Sequence, residues 1–489
     1  MQHRKLALLL GGLLACAGAQ AATINITSRD PAGVGFNDPT VVDPVGGNPG
    51  TTLGQQRYNV YRYVADIWEK NIASGVTINV SAGWEALACT ATSATLGSAG
   101  AWNLWHDFPG GKPGTWYPQA LANKLAGVDL SAGVPDDGSG FGNFDIKTQF
   151  NVNLGNADCL AGSTFYLGLD GKAGTNVNFV ETLLHELGHG LGFSVLTDTS
   201  AGFRIKADGS AYVSSGGLPG VWEEFMLDNT TGKTWLAMTN AERKASAINP
   251  LKLAWTGPNA VAGAATTLGN APVLRVSTSV PGVAGGYLYN TAGFGPAVSV
   301  GQSIGTLANI AAGNPAGQGC TAFSAADVAA VAGKVAIIDR GSCSFVIKVK
   351  NAQNAGAVGV VIANNAAGAA PGLGGSDATI VIPTISVSQS DGVVLKSAVT
   401  KAPAYGSRSK PGSVVGVLAI DPVLKAGTDA AGRPLLYTPN PRVAGSSVSH
   451  WDVSAFPNLL MEPNINSDLG TVLVAPKDLT VPLLKDIGW

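Results

Sequence analysis

Residues Asn178–Ser194 read NFVETLLHELGHGLGFS, and they place His185, Glu186 and His189 in an H-E-x-x-H frame. Side chains four apart share one face of a helix, so the two imidazoles converge on a single ion. Glu186, beside the first of them, points at the water that such an ion holds. Asn178 is the expected N-cap, with Glu181 three residues later closing a capping box, and the Gly190–Gly192 pair is the expected stop.

A catalytic zinc takes three protein ligands and keeps a fourth position open for water, and this helix supplies two. In the longer frame H-E-x-x-H-x-x-G-x-x-H the third imidazole stands three residues after the glycine, but here that place holds Val195. Behind the N-terminal segment the chain has four histidines, so the remaining candidates are His106 and His450. His106 lies in WNLWH, residues 102–106, and His450 in SHWD, residues 449–452. His450 is preferred because Met461, in NLLMEP at 458–463, follows it, and a methionine turn beneath the metal is expected downstream of the third ligand. His106 then reads as a loop or packing histidine. Trp102, Trp105 and Trp116 read as core or cleft-wall aromatics. Glu462 reads as orienting the turn backbone.

On these residues the sequence resembles the leishmanolysin-like metzincins, whose pattern is an H-E-x-x-H-x-x-G-F helix, a long insertion, and a distant His before an L-M-x-P turn. The resemblance implies His185, His189 and His450 as ligands of one catalytic Zn2+ and Glu186 as catalytic base. It also implies Met461 as the turn residue and Gly192 as the point where the chain swings away from the helix. The insertion has its own likeness. Gly333-Lys334 to Asp339-Arg340-Gly341, Cys343-Ser344-Phe345, Lys348, Asn351-Ala352 and Ala355-Gly356-Ala357 are similar to a protease-associated (PA) domain, an accessory of secreted peptidases.

At 489 residues the chain exceeds the size at which one core stops growing. The expected fold is α+β: a metzincin-like catalytic domain, a twisted sheet plus the motif helix, interrupted by a β-rich α/β PA domain. The expected division is a signal peptide over 1–21, the first part of the peptidase domain over 22–270, the inserted domain over 271–402, and the rest of the peptidase domain over 403–489. In the first part, strands are expected at Thr23–Ile26, Val76–Val80, Asp145–Val152 and Thr164–Leu169, and an amphipathic helix at Gln55–Ala73. In the insertion, Lys334–Asp339, Ser344–Ala355 and Val358–Asn364 form a β-α-β unit. A short helix closes the chain over Asp478–Trp489.

Charged residues make up 13%, well under the usual share, and the 65 glycines raise the loop content, as in a secreted, loop-rich protein. The formal net charge of −2, without a basic run, points to no nucleic-acid partner and no anionic membrane surface. Arg4 and Lys5, the apolar run Leu6–Ala19 and the site Ala19-Gln20-Ala21 read as a signal peptide, and no later stretch is long and apolar enough to span a bilayer. Cys16 in a lipobox-like Leu13–Cys16 leaves lipoprotein anchoring as an alternative. Without Cys16 the cysteines are even in number, and the expected bridges are Cys89–Cys159 and Cys320–Cys343, since an inserted domain closes its own.

The expected activity is hydrolysis of protein or peptide substrates at internal bonds, with an extended substrate added to a sheet edge sought among Asp145–Val152. Two other readings stay open: a secreted peptide- or surface-binding protein with a structural zinc, and a zinc hydrolase of non-peptide amides or esters. Oligomeric state, subsite preference and any structural Ca2+ are not legible in these residues.

Overall fold

A computed structural model describes residues 20–91, 93–134, 143–310, 317–375, 377–405, 412–466 and 468–489. Residues 1–19 of the expected signal segment, Cys16 included, lie outside the described residues. The chain is a mixed α/β protein in two parts.

The first part is a four-stranded sheet backed by helices. Ile24–Ser28 pairs in parallel with Ile78–Glu85, which pairs in parallel with Ile146–Asn151, and the sheet ends in the antiparallel strand Gly97–Ala101. The Asp145–Val152 segment is therefore internal, and the edge is Gly97–Ala101. The stretch GSAGA carries no strand signal of its own, because small residues have neither alternation nor β-branching. The expected strand at Thr164–Leu169 contracts to Phe165–Tyr166, paired only with Val177–Asn178.

Helix Leu53–Asn71 starts two residues earlier than expected, where the Thr52 hydroxyl accepts the Gln55 N–H. Its face of Val60, Tyr61, Val64, Ala65 and Trp68 is buried in the main core. The motif helix spans Phe179–Gly190 and packs in the same core through Leu183, Leu184 and Leu187. Asn178 caps it by accepting from Val180 N–H at 3.1 Å, while Glu181 meets the Asn178 side chain rather than its backbone, so the box is not closed. The helix ends in a Schellman motif. Phe193 N–H bonds Gly188 C=O and Gly192 N–H bonds His189 C=O, with Gly192 at φ +115°.

The second part is a closed seven-stranded barrel in the order 270–278, 285–291, 384–387, 359–363, 335–339, 303–309, 414–425. The β-α-β unit forms as expected, with Val335–Asp339 parallel to Gly359–Ala363 and the Ser344 hydroxyl capping helix Phe345–Asn354. The expected boundary at 402 falls inside this unit. Helix Gln389–Tyr405 continues past it, and Val414–Lys425 closes the barrel against Asn270–Thr278 and Ser303–Asn309. The incoming and outgoing strands thus leave side by side, Asn270 opposite Lys425.

Both disulfides form, Cys89–Cys159 in the sheet part and Cys320–Cys343 in the barrel. Each closes a loop whose constraint contributes about 3–4 kcal/mol through the unfolded chain. Among the described residues no helix is long and apolar enough to cross a membrane. The closing helix is Thr480–Ile487, shorter than expected because Asp478 stands outside it and receives the Thr480 N–H.

Candidate metal centre

Glycines let the motif helix sink into the fold. A Cβ on Gly188 would meet Met461 Sδ at 2.8 Å, and one on Gly190 would meet Ile146 Cγ2 at 2.3 Å. The helix therefore rests on the sheet at Gly190 and on Met461 at Gly188, which fixes the height of the histidine face between them. Met461 is fully buried.

The return of the chain near residue 450 is held by short tertiary bonds. Val448 N–H reaches Tyr437 C=O, Tyr437 N–H reaches His450 C=O, Trp451 N–H reaches Met461 C=O, and Val195 N–H reaches the Ser449 hydroxyl. Val448, a β-branched residue, is forced to φ +71° immediately before Ser449 and His450.

Three imidazoles meet in consequence. The Nε2 atoms stand 3.1 Å apart for His185 and His189, 3.2 Å for His189 and His450, and 3.3 Å for His450 and His185. Each Nδ1–H donates to a backbone carbonyl: His185 to Leu460 at 2.7 Å, His189 to Phe193 at 2.7 Å, His450 to Ser446 at 2.8 Å. Those bonds fix the tautomer and turn three Nε2 lone pairs inward. Burial depresses His185 to about 3 and His189 to about 4, and holds His450 well below the ordinary imidazole range; neighbouring imidazoles push His185 and His450 the same way. All three are neutral at pH 7.

The triangle fits a tetrahedral zinc. Nitrogens bound at about 2.0–2.1 Å in tetrahedral positions stand roughly 3.3 Å apart, the edge observed here. Unprotonated nitrogen donors are also the state that metal binding requires. Among the described residues no further His, Cys, Asp or Glu joins the group, so one side remains for water.

Glu186 lies beside the triad, buried, and burial lifts its carboxyl to about 8 against the hydrogen bond it accepts from Ala99 N–H. That bond follows from the ladder. Asn151 N–H bonds Leu96 C=O at one end and Trp102 N–H bonds Asp145 C=O at the other, so Gly97, Ala99 and Ala101 turn their backbone groups away from the sheet. The outward edge and the carboxylate therefore face the same space.

The turn beneath the triad is held by two buried carboxylates. Glu462 accepts Leu459 N–H at 2.8 Å, and Asp478 accepts Leu460 N–H at 2.8 Å. Burial raises both, Glu462 to about 8. Asp478 was not legible as part of the site: its place before a helix signals a cap, but its second oxygen reaches across eighteen residues. His106 lies apart from the triad, bonded to Asp107 and Ala207 C=O and edge-on to Trp116 at 4.3 Å.

Comparison with known proteins bears on the barrel. Residues 293–395 match the PA domain family. The chain is 44% identical over 70 residues to the minor extracellular protease Vpr of Bacillus subtilis (strain 168), a match covering 14% of this chain and 8% of that protein. This chain therefore spans under a tenth of that relative's length. Among solved structures, a zinc aminopeptidase from Bacillus subtilis has a TM-score of 0.20 and 20% identity, over 34% of this chain and 36% of its own. An aminopeptidase from Aneurinibacillus sp. strain AM-1 has a TM-score of 0.20 and 18% identity, over 41% of each chain. At such scores neither likeness extends to the fold of the histidine site. What the comparisons establish is that the inserted barrel carries a PA domain.

Proposed function

We propose that this protein is a secreted, zinc-dependent endopeptidase of the metzincin type, with His185, His189 and His450 as ligands and Glu186 as general base. The observation that carries the reading is the triad of neutral imidazoles, spaced for tetrahedral coordination, with the buried carboxylate of Glu186 on the residue next to His185. Support comes also from the PA domain and from the extracellular protease that shares part of the sequence.

When bound, zinc polarises the scissile carbonyl and acidifies its water. Glu186 takes a proton from the attacking water and passes it to the amine nitrogen as the C–N bond breaks. The outward backbone groups of Gly97 and Ala101 and the carbonyl of Ala99, whose N–H is held by Glu186, hold an extended peptide as an added antiparallel strand, which favours substrates continuing on both sides of the cleaved bond. Met461 and Gly192 act through position alone, one beneath the helix and one at its exit.

Glu186→Gln tests the assignment. Casein hydrolysis by the zinc-loaded variant should fall at least a hundredfold, on the scale of general-base catalysis. Wild-type activity should vanish with a chelator and return with zinc. Undiminished activity in the variant would remove Glu186 from its role.

A further inference from the structure

The outward ladder ends at Ala101, because the next outward carbonyl, that of Asn103, is already taken by Gln119 N–H. Past that point opens a cleft of about 480 Å3 whose walls are Trp102, Leu104, Trp116, Ile205 and Tyr212. Its far wall is the hairpin that pairs Arg204–Ile205 with Tyr212–Val213. Trp116 is buried and braced by the edge of His106, and Tyr212 is half-exposed at the mouth. No lining side chain is charged, and the Lys147 ammonium sits 5.4 Å over the Trp102 ring.

We infer that this cleft is a substrate subsite that selects an aromatic or large aliphatic side chain three to four residues on the amino side of the scissile bond. The inference rests on the peptidase reading above and deepens it. A peptide added antiparallel to Gly97–Ala101 runs toward its own amino end as the strand runs toward Trp102. The residue facing Ala99 lies at Glu186, and the one facing Ala101 is two residues upstream. The next residues leave the ladder and enter the cleft. An aromatic and aliphatic wall with no charged lining side chain favours burial of an apolar side chain and disfavours a carboxylate or ammonium. The same indoles would accept a sugar ring, but continuity with the strand edge favours the peptide.

The test uses quenched peptides of one sequence in which Phe, Leu, Ala or Asp is placed at each of the third and fourth upstream positions and, as a control, downstream. With the mature zinc-loaded protein, kcat/KM for Phe and Leu should exceed that for Ala by roughly tenfold or more at one upstream position, mainly through KM. In Trp102→Ala, and in the half-exposed Tyr212→Ala, the Phe-to-Ala ratio should collapse toward one. A flat upstream series in an enzyme that cleaves every peptide overturns the subsite and leaves the peptidase reading standing. So does a preference that survives both variants or lies downstream. Should the wild type cleave none of them, the peptidase reading falls. The cleft is then judged by tryptophan fluorescence, where no response to the Phe peptide, or a response to an oligosaccharide instead, overturns the inference.

Discussion

Asp478→Asn should weaken zinc binding although residue 478 touches no ligand. The carboxylate is buried, and its two oxygens receive different amides: Leu460 N–H at 2.8 Å and Thr480 N–H at 2.7 Å. Asparagine offers one acceptor and sets an NH2 group against the other amide. Leaving one buried N–H unpaired costs about 1–3 kcal/mol. Alanine orphans both and opens a cavity, for about 3–5 kcal/mol. The loss falls on Leu460, whose carbonyl holds the His185 ring. Loosening such an outer partner lowers metal affinity by about 10- to 100-fold. Two measurements on the same preparation separate the effects: competition for zinc against a chromophoric chelator, and urea unfolding of the metal-free protein followed by tryptophan fluorescence. Both quantities should fall in the variant. A zinc affinity within twofold of wild type, beside a lowered metal-free stability, would refute the coupling through Leu460 and leave Asp478 a helix cap.

Three further outcomes follow from the packing and the buried charges. Gly192→Ala should destabilise the protein by about 2–3 kcal/mol in urea unfolding, because the residue sits at φ +115° and a Cβ would stand 2.9 Å from Pro118 Cγ and 3.1 Å from Ile487 Cδ1; an unchanged midpoint would show that the helix exit can shift. Burial raises Asp145 to about 6, so the folded chain holds that proton where the unfolded chain, near 3.8, has lost it. Its stabilising contribution is complete below the unfolded value and is lost as pH rises toward 6, a change on the order of 3 kcal/mol that Asp145→Asn should flatten over pH 4–6. Lys348→Met should destabilise the barrel by about 2–4 kcal/mol, since the Lys348 ammonium bonds the Gln318 and Gly341 carbonyls at 2.6 Å each and its removal leaves both unpaired; barrel protection in hydrogen exchange reads it.

What the sequence reveals follows the range of the forces involved. The motif helix, its Asn178 cap and its Gly192 exit depend on neighbours within a few residues, and each was readable. So was the β-α-β unit of the insertion, where apolar runs and the Ser344 cap coincide. The edge strand was not, because GSAGA forms a strand only by virtue of its partner Ile146–Asn151. The last barrel strand was missed for a related reason: Val414–Lys425 is defined by pairing with strands more than a hundred residues earlier. His450 could be named through its spacing from Met461. The bonds that aim its ring, from Ser446, and the Asp478 hold on the turn are products of the fold alone.

The side-by-side ends of the barrel bear on when the histidine cluster can exist at all. His185 and His189 leave the ribosome and any export channel some 260 residues ahead of His450. A disordered connection of that length would resist closure by about 5 kcal/mol. A folded barrel whose first and last strands meet at Asn270 and Lys425 shortens it to the 80 residues before the barrel and the 24 after it. Every nascent or truncated chain ending before residue 450 nonetheless lacks one of the three imidazoles, so the cluster closes only after that residue has been delivered.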